Sequence, residues 1–148
     1  MLNRLRPVRL SHVAIVAMLI ACAACAKDDS TTATAPTSSS PFTSTDLRVG
    51  TGATAVLGSR ITVAYTGWLY DTTKTDGKGT QFDTQTSILF TLQSGSLIQG
   101  WVQGIPGMKI GGQRRLIIPP ELAYGNNGSG SIPGNATLIF DITLLNVQ

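Results

Sequence analysis

The chain has 148 residues, 42% of them hydrophobic and 13% charged, which suits one ordinary domain with a tail and is too short for two packed domains. Its net charge of +3 resides at the N-terminus: Arg4, Arg6 and Arg9 fall in the first nine positions, and eight basic residues face eight acidic ones from Lys27 onward. A neutral folded part excludes a polyanion-binding protein, so no nucleic-acid partner is expected.

Residues 1–21 have the layout of a secretory signal peptide, with an Arg-bearing start, an uncharged run beginning at Val13 and small residues around Cys22. The run from Val13 to Ala26 is 14 residues long, short of the roughly 20 that a membrane-spanning helix needs. Within it, Leu19-Ile20-Ala21-Cys22 resembles the bacterial lipobox. That resemblance implies lipidation of Cys22, a membrane anchor, and an exported protein on the bacterial cell envelope facing the periplasm or the exterior. Ordinary cleavage near Ala24 or Ala26 would instead release a soluble secreted protein. Cys22 and Cys25 also form a Cys-x-x-Cys pair, but a redox or metal pair sits at a helix start within a fold, and this one lies in a segment due to be cut.

No Cys follows position 25, and His12 is the only histidine. The exported part is therefore held by its core alone, and Ser-His-Asp catalysis, Cys-His catalysis and histidine-ligated zinc are excluded from it. Residues 22–45 read as a disordered tether, since 11 of the 19 residues from Lys27 to Thr45 are Ser or Thr and little there can be buried. Such a chain spans roughly 25 Å, enough to hold a small domain clear of a bilayer.

Residues 46–148 form the folded domain, where every glycine of the chain occurs. Arg60 to Tyr70 alternates, with Ile61, Val63, Tyr65, Gly67 and Leu69 on one face, and predicts a strand with one side on a core. Ile88, Phe90 and Leu92 alternate likewise. Between these two stretches, Asp71 to Gln81 reads as a long turn, and Thr84 to Ser87 as a short loop after Asp83. Ser96 can cap a short helix carrying Leu97, Ile98, Trp101, Val102 and Ile105 at helical spacing, ended by Pro106-Gly107. Arg114 to Ile118 predicts a strand stopped by Pro119-Pro120, and Ala136, Leu138, Phe140, Ile142 and Leu144 a long closing strand. One helix among four to six antiparallel strands gives an α+β fold with the helix packed across the sheet.

Six blocks then occur in family order: Val63-Ala64-Tyr65-Thr66-Gly67, Gln81-Phe82-Asp83, Leu97-Ile98-Gln99-Gly100-Trp101, Gly111-Gly112-Gln113, Ala123-Tyr124-Gly125, and Ala136-Thr137-Leu138-Ile139-Phe140-Asp141. On these blocks, residues 46–148 resemble an FKBP-type peptidyl-prolyl cis-trans isomerase. The resemblance implies a curved antiparallel sheet of five or six strands wrapped around one short α-helix. It implies proline-containing polypeptide clients, macrolides such as tacrolimus as inhibitors, and a monomer.

The implied chemistry needs no nucleophile, cofactor or metal. Rotation about an Xaa-Pro amide breaks the resonance of its C–N bond against a barrier of about 18–20 kcal/mol, and no bond is made. A catalyst can seat the proline ring in an apolar pocket, remove water from the carbonyl and hold the amide twisted. By the family's pattern, Trp101 forms the floor under the ring, with Tyr65, Phe82 and Phe140 as aromatic walls and Phe90, Leu97 and Ile132 completing the apolar surface. The Ile98 N–H and the Tyr124 hydroxyl are the expected donors to substrate carbonyls. Asp83 sits near the twisting carbonyl and holds the Tyr65 hydroxyl. From pattern alone, Tyr65, Phe90, Phe140 and Trp101 read equally well as core aromatics, whereas Asp83 and Tyr124 gain less from burial. A membrane-tethered peptide-binding or partner-binding module of the same fold, with little turnover, is the alternative.

Overall fold

The computed structural model describes residues 40–148. The signal segment, Cys22 and all but the end of the 22–45 tether lie outside the described residues. Five strands form one antiparallel sheet: β1 (Thr43–Arg48), β2 (Arg60–Tyr70), β3 (Lys78–Thr91), β4 (Gln113–Ile118) and β5 (Leu138–Val147). Their spatial order is β1-β4-β5-β2-β3, and a six-residue helix, α1 (Gln99–Gly104), packs on the inner face. The architecture is the expected α+β one, a curved sheet around one short helix.

The inner face follows the alternation in the sequence. Ile61 and Val63 from β2, Leu116 and Ile118 from β4, and Ile142 and Leu144 from β5 are fully buried. Helix α1 reaches this layer because it has glycine where it meets β4: a Cβ at Gly100 would lie 2.4 Å from Ile118 Cγ2, and one at Gly104 would lie 2.6 Å from Leu116 Cδ2. Backbone is thereby brought against branched side chains, and Trp101, the residue after Gly100, is driven into the core at 4% exposure. On the outer face, Arg115 of β4 forks onto Asp141 of β5 through two hydrogen bonds of 2.7 and 2.9 Å. Lys78 of β3 reaches the same carboxylate at 2.7 Å and lies 4.1 Å from the centre of the Trp68 ring. Three strands are thus tied together on the side away from the helix.

The structure departs from the sequence reading in three places. β1 begins at Thr43, inside the stretch assigned to the tether; all six of its residues are exposed, so no burial pattern marks it. Its order comes from pairing with β4, from Thr43 opposite Ile117 to Asp46 opposite Arg114. Second, Thr84 to Ser87 is not a loop. β3 runs unbroken through it, with Thr84 opposite Thr66 and Gln85 opposite Tyr65, and absorbs extra residues in bulges along its register with β2. The turn before it is correspondingly shorter, because Lys78 to Gln81 already belongs to the strand. Third, Ser96 does not cap the helix. Ile98 occupies the N-cap position with no side-chain bond, and the Ser96 hydroxyl instead accepts a 3.2 Å hydrogen bond from Gln93 Nε2.

Candidate active site

A cleft of about 530 Å³ opens between α1, the start of β3 and the turn after β4. β2 contributes Tyr65, β3 contributes Phe82, Asp83 and Phe90, and β5 contributes Phe140. The helix start supplies Leu97, Ile98 and Trp101, and Tyr124 comes from the turn that follows a 3₁₀ segment at Pro120–Leu122. These candidates, scattered over 76 positions of chain, therefore share one wall-to-wall site. Ile132 is not among its lining residues. Its side chain is 8% exposed and packs in the core cluster, because the Ser129–Ile132 bridge folds the Gly/Asn-rich turn back on itself.

The base of the cleft is an aromatic lattice. Trp101 meets Tyr65, Phe140 and Phe90 edge to face, with ring centres 5.0, 5.4 and 5.6 Å apart, and Phe82 meets Phe140 at 5.5 Å. Edge-to-face pairs at these separations contribute about 0.5–1.5 kcal/mol each beyond area burial. The lattice therefore fixes the rings even where they face solvent. Gly67 makes room for it: a Cβ there would lie 2.7 Å from Phe82 Cζ and 2.8 Å from Phe140 Cε1. The Trp101 indole N–H is buried with no hydrogen-bond partner among the described residues.

One strong polar contact crosses this apolar surface. Tyr65 donates its hydroxyl to Asp83 Oδ2 at 2.5 Å. Burial first, then that hydrogen bond and the charge of Asp83, push the Tyr65 phenol well above its ordinary pKa, so it stays a neutral donor. Burial, followed by the nearby Asp83 charge, also raises Tyr124. Tyr124 itself is 38% exposed and lines the cleft. Ile98 ends the approach to α1, and its carbonyl accepts from the Trp101 and Val102 amides at 3.0 and 3.3 Å. The helix ladder makes no use of an N-cap residue's own N–H, so the Ile98 amide is placed to donate outward.

Gly95, Ser96, Gln99 and Ala123 also line the cleft and are not among the site residues expected from sequence. Small or polar, they bear no periodic signal; only their closeness in the chain to Leu97 and Tyr124 could have suggested them. Gly67 could have been found, since a glycine inside a strand rich in β-branched and aromatic residues marks close approach of another group. The arrangement as a whole offers an aromatic-floored cleft with one carboxylate in its lining and candidate hydrogen-bond donors in the Ile98 amide and the Tyr124 hydroxyl. It can bind, dehydrate and twist a planar group, and it presents no activated nucleophile.

Residues 52–145 match the family described as FKBP-type peptidyl-prolyl cis-trans isomerase. The chain is 48% identical over 103 residues to an FK506-binding protein of Neisseria meningitidis serogroup B, an alignment covering 69% of this chain and 92% of that relative. It is similar to the crystal structure of FkpA from Escherichia coli, with a TM-score of 0.61 and 36% identity over 72% of this chain and 48% of that one. The chain thus spans about half the length of FkpA. It is also similar to a peptidyl-prolyl cis-trans isomerase from Pseudomonas syringae pv. tomato, with a TM-score of 0.61 and 35% identity over 72% of this chain and 75% of that one.

Proposed function

The chain belongs to the family of FKBP-type peptidyl-prolyl cis-trans isomerases, and from that premise we propose how its cleft speeds rotation about Xaa-Pro bonds and for which clients. The proline ring sits over Trp101, between Tyr65, Phe82 and Phe140, with Phe90 and Leu97 closing the apolar surface. The Ile98 N–H and the Tyr124 hydroxyl hold carbonyls on either side of the bond. The rotating carbonyl lies beside Asp83.

Rotation is slow because the amide is stabilised by a resonance form that places negative charge on its oxygen and double-bond character in C–N. Water stabilises that form. Seating the amide in an apolar cleft strips the water away, and a carboxylate near the oxygen disfavours the same charge separation. Both effects act on the planar ground state more than on the twisted amide, which carries less charge on oxygen; this difference is what lowers a barrier. About 5.5 kcal/mol taken from the barrier corresponds to roughly a 10⁴-fold acceleration. The Tyr65–Asp83 hydrogen bond is the observation that carries this reading, since it holds in place the one charged side chain that lines the cleft.

Family members bind proline-containing substrates and FK506-like ligands. For this chain the clients are exported polypeptides whose slow folding steps are Xaa-Pro isomerisations. The protein acts as a monomer, anchored through lipid on Cys22 after removal of residues 1–21, with the tether giving it reach. The lipobox Leu19-Ile20-Ala21-Cys22 and the Ser/Thr-rich stretch after it support this placement. Two experiments test it. In refolding of a proline-limited protein, the chain should accelerate the slow phase in proportion to its concentration; an unchanged slow phase contradicts the client class. Cys22→Ser should move the protein from the membrane fraction to the soluble fraction, and retention in the membrane fraction contradicts the anchor.

A further inference from the structure

Adjacent arginines on β4 point to opposite faces of the sheet. Arg115 pairs with Asp141 on the outer face. Arg114 points inward, and its guanidinium, with a side chain 14% exposed, makes four hydrogen bonds to two different elements. Nε and Nη2 fork onto the Asp46 carboxylate of β1 at 2.6 and 3.0 Å. Nη1 donates to the carbonyls of Gly104 and Pro106 at 2.7 and 3.2 Å, at the C-terminal end of α1.

We propose that Arg114 is a positioning residue for the isomerase: from a strand that does not line the cleft, it holds the C-terminal end of α1 and so fixes the Trp101 base and the Ile98 rim. The proposal rests on the isomerase reading of that cleft. The helix lacks the usual means of fixing itself. It is six residues long, it has no side-chain bond at its N-cap, no acidic residue in its first turn and no basic residue in its last. A helix this short is not stable alone. Its last carbonyls carry the negative end of the helix dipole, and the positive group that satisfies them comes from β4. The carboxylate of Asp46 pins the other side of the guanidinium, so that it cannot swing away from the helix. Bidentate pairing to a planar fork is what distinguishes arginine from lysine here. The same pair couples β1, the strand nearest the tether, to the helix that carries the site.

The test compares Arg114→Met with Arg115→Met in the full chain. Both variants lose a bidentate ion pair from the same strand, but only the first touches α1. Arg114→Met should lower kcat/KM about tenfold, in line with the sensitivity of positioned groups to sub-ångström displacement; Arg115→Met should stay within about twofold of wild type. Arg114→Lys, which keeps the charge but cannot span both partners, should fall between. The chain has two tryptophans, one on each side of the sheet, and their indole N–H resonances report position independently of turnover. Arg114→Met should shift the Trp101 resonance and leave that of Trp68 in place. Equal losses in the two Met variants, or a Trp101 resonance that stays put, overturn the proposal. Should Arg114→Met fail to fold, Asp46→Asn must shift the Trp101 resonance in its place, and an Asp46→Asn protein identical to wild type overturns it equally. A wild-type chain without turnover would contradict the isomerase reading, while the indole shift would still decide the role of Arg114.

Discussion

Replacing Gly100 with alanine asks whether the helix must lie hard against β4 for the site to work. A Cβ at position 100 would stand 2.4 Å from Ile118 Cγ2, 2.7 Å from its Cδ1 and 2.9 Å from its Cγ1, where ordinary contact begins near 3.4 Å. Helix and strand must therefore separate by about 1 Å or Ile118 must leave its rotamer. Overpacking of this kind costs about 1–3 kcal/mol. Alanine recovers about 0.5–1 kcal/mol of helix propensity relative to glycine. The clash wins, and a net loss of about 1 kcal/mol in stability is expected. The effect on turnover should be larger than that figure suggests. Trp101 is the next residue and moves with the backbone, and a 1 Å misplacement can cost on the order of a hundredfold in rate. Exchange NMR on a proline peptide should show kcat/KM reduced between about tenfold and a hundredfold at a temperature where circular dichroism shows the variant folded. Ile118→Ala introduced alongside removes the three atoms nearest the new Cβ, and the pair should regain more than half of the loss on a logarithmic scale. A Gly100→Ala protein within about twofold of wild type would refute the argument that close packing positions the floor.

Asp83→Val removes a charge beside the cleft without opening the core, so the domain should stay folded while turnover in a proline-limited refolding assay falls about tenfold or more, equivalent to about 1.4 kcal/mol or more of lost electrostatic preference for the twisted amide. An unchanged rate would remove Asp83 from the mechanism. Asp141 should set part of the acid limit of stability. Burial alone would raise its pKa, but hydrogen bonds from Arg115 and Lys78 hold it below the usual carboxylate value. With the native pKa below the unfolded one, the contribution is complete above about pH 4 and is lost as pH falls through the native value. The urea midpoint of wild type should then drop more steeply from about pH 4 to about pH 2 than that of Asp141→Asn, and parallel slopes would contradict the assignment.

The parts of this molecule that sequence reveals are those where burial is periodic. β2 and β5 announce themselves because Ile61, Val63, Leu138, Phe140, Ile142 and Leu144 alternate along them. Order that rests on hydrogen bonding alone leaves no such mark. β1 has every side chain exposed and is ordered by its ladder to β4 and by the Asp46–Arg114 pair, so composition places its first residues in a tether. The bulged middle of β3 hides in the same way, since Thr84 to Ser87 are polar and the strand's register there is set by β2. The helix start is hard to read because Ser96 has the right chemistry for a cap, and the geometry instead gives that position to Ile98. Of the aromatic and charged side chains that line the cleft, Tyr65, Phe82, Asp83, Trp101, Tyr124 and Phe140 lie in the six ordered blocks of sequence, whereas Phe90 lies outside them. Ile132 could not be placed the same way, because the turn before it decides whether its side chain faces the cleft or the core. Nor could Arg114 be told from Arg115 by sequence, since only the register of β4 shows which of them faces the helix.

The cis/trans exchange rate of an Ala-Leu-Pro-Phe peptide, followed by NMR exchange spectroscopy with and without the full chain and then with tacrolimus added, tests the central claim most directly. Exchange should accelerate in proportion to protein concentration and return to the uncatalysed rate, on the order of once in tens to hundreds of seconds, when the drug fills the cleft. A folded chain that binds the drug yet leaves the peptide at its uncatalysed rate would contradict the account and leave a tethered binding module in its place.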